Sequence, residues 1–510
     1  MGRYASTLVA LVVISHASTC SADIHCVSET GSNEFPYTSP WTAASSIQDA
    51  VDAAEYGDIV DVGPGEYVEQ VTLKDGIILW GWGSDVTVIR QPEELPEDAP
   101  YALRGAEDAQ IRNLKVAAPL ADPPHGDPYW YTNGISLGPY SGQLIASCLV
   151  SGGFWGGIAC HGSTLAGPII IKDTTVEGCY ARPVYLARCT AAFDGCVFGE
   201  ARYGFHAHGA ELSITRSTFL GGGLWASQAR VLIQNSWFLG DGIDGNGIDG
   251  EFYHVTAYNC LIEGFGAGIH GNSARLEVIN CTITGNLTGI LCSEVDTFVS
   301  NSLIWGNASG GSNFYGGIRN IHAETTVEYS NVQGPFPDDD CSPPLDVWPG
   351  YGNIVADPQF RDPQNLDFHL KRTSPCIDAC PPDWPQLDPS HPYRTMLWVP
   401  FLDMDERPRR LYGGRKPDWS KPQIDMGAYE FWLNRLEPAE GGGMTLTWGS
   451  VSDSSYRIYY SDNLVTWHVA DREVHSAGDW TTSWTDTEGS GTNIPPSLVR
   501  TRFYRVVESP

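Results

Sequence analysis

Apolar and polar residues alternate along the middle of the chain in short runs, such as Val231-Leu232-Ile233 and Leu276-Glu277-Val278. Alternation in β-branched and aromatic residues predicts strands; a helix would need apolar residues at i, i+3 and i+4. The runs recur about every twenty-two residues between Ile111 and Ile304. One column of the repeat reads Ser147, Asp173, Gly195, Arg216, Asn235, Asn259, Asn280, Asn301, the Gly- and Asn-rich composition of tight turns. The next column is small: Cys148, Thr174, Cys196, Ser217, Ser236, Cys260, Cys281, Ser302. Two residues on, the column is apolar: Val150, Val176, Phe198, Phe219, Phe238, Ile262, Ile283, Ile304. So short a unit cannot bury a face alone, so units must stack and share one core. At a strand spacing of about 4.8 Å, like residues lie over like.

A second strand recurs in each unit as Gly-apolar-X-small-X. Its apolar member points inward, so X points out. The first outward column is Ser136, Ala159, Tyr185, His206, Trp225, Asp249, His270, Leu291. The second is Gly138, His161, Ala187, His208, Ser227, Glu251, Asn272, Ser293. An outer face without a task carries Thr, Ser, Lys or Val; this one concentrates imidazoles, rings and carboxylates.

These stacked β coils resemble the right-handed parallel β-helix of the pectin-lyase-like superfamily, and the handedness is taken from that resemblance. The leucine-rich repeat and the propeller also have fixed periods, but their signatures do not occur. The fold expected is all-β: a right-handed single-stranded parallel β-helix over residues 23–335, then a small C-terminal β-sandwich. Ser45-Ser46-Ile47-Gln48-Asp49-Ala50-Val51-Asp52-Ala53-Ala54 predicts an amphipathic capping helix. Gly57–Tyr67 after it resembles the usual opening of bacterial β-helix proteins. Asp357-Pro358-Gln359-Phe360, Asp367-Phe368-His369-Leu370, Ser374-Pro375-Cys376-Ile377-Asp378-Ala379, Leu402–Arg409 and Asp425-Met426-Gly427-Ala428-Tyr429-Glu430 closely resemble, in order, the C-terminal module of choice-of-anchor Q β-helix proteins. Residues 336–432 are therefore expected to cap the second end. Cys380 stands where that module has Gly, which suggests a Cys376–Cys380 or Cys341–Cys380 bridge. Residues 436–510 alternate in period two around Trp448 and Trp484 and look like a fibronectin-type-III-like sandwich.

Composition narrows the partners. Residues 1–22 read as a secretory signal: Arg3, an apolar stretch centred on Leu8–Ile14, then Cys20-Ser21-Ala22. That stretch is too short to span a bilayer, so a secreted or cell-surface protein is expected, without a membrane span. A net charge of −31 disfavours nucleic acid, whose phosphates need cationic surface. The 13 cysteines form no zinc pattern; the repeat cysteines read as buried spacers.

The outward columns suggest a polysaccharide as partner of a monomer. Four of the 13 histidines lie in them, far above even scattering. Three readings follow. A lyase would eliminate across a uronic acid, with His206 or His208 as base, Tyr185 as acid and Arg182, Arg188 or Ca²⁺ neutralising the carboxylate. A glycoside hydrolase would pair Asp249 with Glu251 or Asp244; its superfamily members carry Asp before His-Gly, the reverse of the order here. A non-catalytic binder would only dock a glycan, with Trp225, His270, Asn272 and His161 as contacts. A solvated face is the plain alternative. Two insertions flank the columns: Tyr129, Trp130 and Tyr131 offer stacking faces, and Asp241, Asp244 and Asn246 offer oxygens for Ca²⁺.

Overall fold

The computed structural model describes residues 22–92, 101–119, 132–162, 167–242, 245–251, 253–307, 316–321, 324–334, 347–380, 403–405, 424–429, 435–439, 443–449, 455–462, 466–475, 481–487 and 502–508. Most coils carry three strands. The first strands stack from Val71–Thr72 and Tyr101–Arg104 through Arg182–Ala187 and Asn246–Glu251 to Ile318–Ile321. The second strands stack from Ile24–Val27 through Glu211–Thr215 to Thr325–Glu328. Ala267–Ile279 and Thr288–Ser300 run unbroken through both stacks. The third strands form a separate 12-stranded sheet from Gly65–Val68 to Asn331–Val332. All pairings within the coils are parallel, so the protein is an all-β parallel solenoid, as its period predicts.

The repeat columns have distinct physical roles. Every turn-column residue has positive φ, including Asn259 at 50° and Arg216 at 48°. This left-handed corner is where Asn and Gly are least penalised. The small column does more than fill space. Ser217 Oγ donates to the Thr215 carbonyl at 2.9 Å and accepts from the Cys196 amide one coil away at 3.2 Å. Ser236 and Ser302 repeat both bonds, and Cys281 Sγ accepts from the Cys260 amide at 3.5 Å. A buried hydroxyl or thiol thus satisfies backbone groups that the corner withdraws from the ladder. The apolar column fills the core, where Phe219 lies 4.8 Å from Phe198 and 4.2 Å from Phe238 between ring centroids.

At the N-terminal end, helix Ile47–Ala53 buries Ile47, Ala50 and Val51 against the first coils. Ser46 caps it, and the Glu69 carboxylate accepts from the Ile47 and Gln48 amides at 2.8 and 3.0 Å. At the other end Trp348 joins the core, and Ile354 pairs with Asn331. Residues further on lie along the outer side of the third sheet. Leu370, Cys376, Ile377 and Met426 cluster with Leu303; Phe368, Ala428 and Tyr429 cluster with Leu261. There they cover Leu261 and Leu303, apolar residues at outward positions of that sheet, and the Ala428 amide donates to Thr282 Oγ1 at 3.0 Å. His369 clamps this region between Asp367 at 2.5 Å and Asp405 at 2.8 Å. No Cys376–Cys380 bridge forms: Cys376 Sγ accepts from Asn331 and Cys380 Sγ donates to the Tyr329 carbonyl. Cys341 lies outside the described residues.

The tail holds two three-stranded antiparallel sheets that share a core of Leu446, Trp448, Tyr456, Ile458 and Tyr460, with Trp484 packed against it. Among the described residues, no helix is long and apolar enough to cross a membrane.

Phe219 is fully enclosed between its two stacked neighbours, so Phe219→Ala leaves a cavity that neither coil can close. The substitution is expected to lower stability by about 3–5 kcal/mol, read as a shift of the urea unfolding midpoint followed by circular dichroism.

Candidate functional site

The outward positions of the first stack form straight files. Register places Ala159 beside Tyr185, Tyr185 beside His206, His206 beside Trp225, Trp225 beside Asp249, and Asp249 beside His270. The second file aligns His161 with Ala187, then His208, Ser227 and Glu251, and Asn272 with Ser293. Between the files Leu186, Ala207 and Ala226 are fully buried, as are Val184, Phe205, Leu224, Ile248 and Ile269 just before the first file. The panel expected from alternation therefore exists, on one side of the solenoid.

One end of the panel is a cluster of rings around a guanidinium. The Tyr185 ring lies 5.0 Å from His161 and 5.7 Å from His206; the His206 ring lies 3.9 Å from Trp225. Arg182 sits over Trp155 at 4.4 Å, Tyr203 at 5.1 Å and Tyr185 at 5.6 Å. Its Nε donates to His206 Nδ1 at 3.3 Å. A guanidinium has no acceptor, so Nδ1 carries the lone pair and the neutral ring bears its proton on Nε2. Burial, the Arg182 charge and the neighbouring His208 push the His206 pKa down to about 4. His206 is thus a neutral N–H donor near pH 7, and Arg182 occupies the nitrogen that would otherwise accept a proton. The sequence expectation made His206 or His208 the base; this geometry presents His206 as a donor. Burial also lowers the His161 pKa; its ring is at the exposed edge of the cluster.

The other end is an ordered acid–base pair. His270 Nδ1 lies 2.7 Å from Asp249 Oδ1, and Asn246 Nδ2 donates to Asp249 Oδ2 at 3.0 Å. Burial would raise the Asp249 carboxyl, but the bonds from His270 and Asn246 outweigh it and hold the pKa below the usual range. The bond to Asp249 raises His270, against burial. With one bond to each oxygen, Asp249 is a carboxylate held in orientation by His270 and Asn246. A cleft of about 170 Å³ opens beside it, lined by Tyr203, Gly222, Trp225, Asn246, Asp249 and Phe265 among others.

The remaining expected residues are less united. His208 and Asn272 are half-buried and Glu251 is exposed, in the second file. Arg188 is exposed at the left-handed corner after its strand, with φ 53°. Asp241 is exposed in the turn before Asn246. Asn246 engages both ends of its amide, since its Oδ1 accepts from the Ala267 amide at 3.2 Å. Asp244 lies outside the described residues. Among the described residues, no group of three or more His, Cys, Asp or Glu assembles as a metal site. Tyr129, Trp130 and Tyr131 also lie outside them.

The sequence reading missed the wall. Phe154 and Tyr180 stack at 4.8 Å, and Trp155, Tyr203 and Arg202 continue beside them. Their signal was present, since an aromatic residue recurs in the same turn of three consecutive coils. It was obscured because that turn varies in length.

A family model described as "Right handed beta helix region" matches residues 156–327, the coils that carry the panel. No curated protein matches the chain. Among solved structures, the Azotobacter vinelandii mannuronan C-5 epimerase AlgE6 A-module is 18% identical with a TM-score of 0.42, over 61% of this chain and 95% of that one. Pectate lyase Pel9A is 13% identical with a TM-score of 0.37, over 80% and 97%. Tailspike protein 2 of Escherichia coli O157:H7 bacteriophage CAB120 is 11% identical with a TM-score of 0.35, over 96% and 65%. At these values the likeness concerns how the chain winds and carries no activity across.

Replacing Arg182 by Met removes both the charge and the bond at Nδ1. The His206 titration is expected to rise from about 4 by only part of the way to 6.5, because burial, the larger cause, remains; NMR of the imidazole resonances reads it. Because the folded pKa is the lower one, His206 favours the native state above about 6.5 and loses that contribution as pH falls toward 4. Arg182→Met should flatten this acid-side slope.

Proposed function

We propose that the protein is a secreted, monomeric polysaccharide lyase that binds a uronic-acid-containing glycan along the first stack and cleaves it by β-elimination. The observation that carries this reading is the convergence of Arg182, Tyr185, His206 and His161 on one spot. Elimination requires a neutraliser for the carboxylate, a base for the C5 proton and an acid for the leaving oxygen. Arg182 and the His206 Nε2–H supply a cation and a hydrogen-bond donor for the carboxylate, which acidifies C5–H. His161, held neutral near pH 7 by its lowered pKa, takes the C5 proton. The C5–H pair becomes the C4=C5 double bond, the C4–O bond breaks, and the Tyr185 hydroxyl protonates the departing oxygen. Exchange of protons with water resets both groups. Trp225 and the Trp155–Tyr203 wall give the sugar rings faces to stack on.

A hydrolase reading is weaker because Asp249, one of its two carboxylates, is committed to His270 and Asn246. Calcium enters no step.

The test is digestion of a panel of uronic-acid polymers, followed by the ultraviolet absorbance of the unsaturated product. Tyr185→Phe and His161→Ala should each reduce kcat about 10²–10⁴-fold, the usual contribution of a positioned acid or base. Wild-type activity should fall as pH drops through the lowered His161 pKa and the base is protonated. Absence of absorbance with every polymer would end the lyase reading. Retained binding would then leave a glycan-docking protein, and reducing ends without absorbance a hydrolase.

A further inference from the structure

The panel is polarised in charge along the solenoid axis. The strands Gly156–His161, Arg182–Ala187, Phe205–His208 and Leu224–Ser227 carry no Asp or Glu. Arg182 begins the second of these, and Arg188 follows it directly. From Leu224–Ser227 onward the pattern reverses. Asn246–Glu251 contributes Asp249 and Glu251 and, like Ala267–Asn272 after it, has no Lys or Arg. His270 balances one carboxylate at most, because it is already paired with Asp249. Glu251 adds a further negative charge at an exposed position of the second file.

The two ends are close enough to meet the same chain. Tyr185 to Asp249 is three coil steps, roughly 14 Å at strand spacing, which is a few sugar units. A polymer with a carboxylate on every residue would place one against Arg182 and others against Asp249 and Glu251. The second placement is repulsive, and the overall charge of −31 gives it no relief. A polymer in which neutral sugars separate the uronates would match both ends. The acidic end can then serve hydroxyls, since the His270 imidazole and the Asn272 amide stand at successive outward positions of one strand.

We infer that the substrate is a heteroglycan in which uronate residues are interspersed with neutral sugars, and that Asp249 and Glu251 reject homopolyuronates. Asp249 and Glu251 are specificity-determining residues on this view, not catalytic ones. The inference rests on the glycan-binding reading of the panel but not on elimination itself.

Binding is therefore measured with Tyr185→Phe protein by affinity electrophoresis and calorimetry at low ionic strength. The probes are polygalacturonate and a rhamnogalacturonan backbone, in which galacturonate alternates with rhamnose, at matched chain length. The alternating polymer should bind at least tenfold more tightly. Glu251→Gln, at an exposed position that folding does not need, should improve polygalacturonate binding several-fold and leave the alternating polymer within twofold. Asp249→Asn should act in the same direction, and added salt should narrow the gap. Equal affinity for the two polymers, a preference for polygalacturonate, or a gap unmoved by Glu251→Gln would overturn the inference. Failure of the lyase reading has a separate signature, namely no unsaturated product from wild-type protein that still binds and discriminates.

Discussion

Vertical superposition of successive coils is the constraint on which everything else depends. Each coil hands its backbone amides and carbonyls to the coils above and below. This satisfies them only if every coil has the same outline. The corners are where that outline is hardest to keep, because the chain turns through a left-handed residue and breaks the ladder. The column of Ser, Thr and Cys repairs the break. Its Oγ or Sγ atoms accept from one coil and donate within their own, as at Ser217, Ser236 and Ser302. Cysteine alternates with serine because both are small and both can take this bond, and the thiols are buried rather than bridged.

The same superposition builds the site. Outward side chains one coil apart are brought to strand spacing whatever their chemistry. Groups that would repel or ignore one another in a flexible chain are thus held in contact. Arg182 lies against the rings of Trp155, Tyr185 and Tyr203 and against His206 because the corners fix its strand, not because the cluster is strongly self-attracting. Burial first, and then the cation held beside it, lower the imidazole's pKa, so the rigid scaffold places a neutral donor beside a cation near pH 7. Three coils along from His206, the same geometry pairs His270 with Asp249, and there the imidazole's shift is upward. One file therefore presents histidines in two opposite electrostatic states.

The C-terminal region shows a different economy. The third sheet's outward residues Leu261 and Leu303 are fully buried under later segments of the chain. Those segments lie along the side of the solenoid, while Trp348 reaches the end of the core. The order of short motifs in the sequence does not say which surface these segments cover, since apolar residues can pack on an end or a side.

The sequence by itself determined the solenoid, its registers and the membership of the outward files. These follow from a short period in which alternation separates inside from outside, and each of Tyr185, His206, Trp225, Asp249 and His270 lies in the file its column predicts. Only the tertiary structure decided what those residues do. The tautomer of His206 depends on Arg182, which stands in a different column. The reserve of Asp249 depends on Asn246, and the aromatic wall depends on turns whose lengths vary. Spacing along a chain fixes the direction of a side chain, whereas protonation and hydrogen-bond direction are set by whichever neighbours the fold brings within about 3 Å.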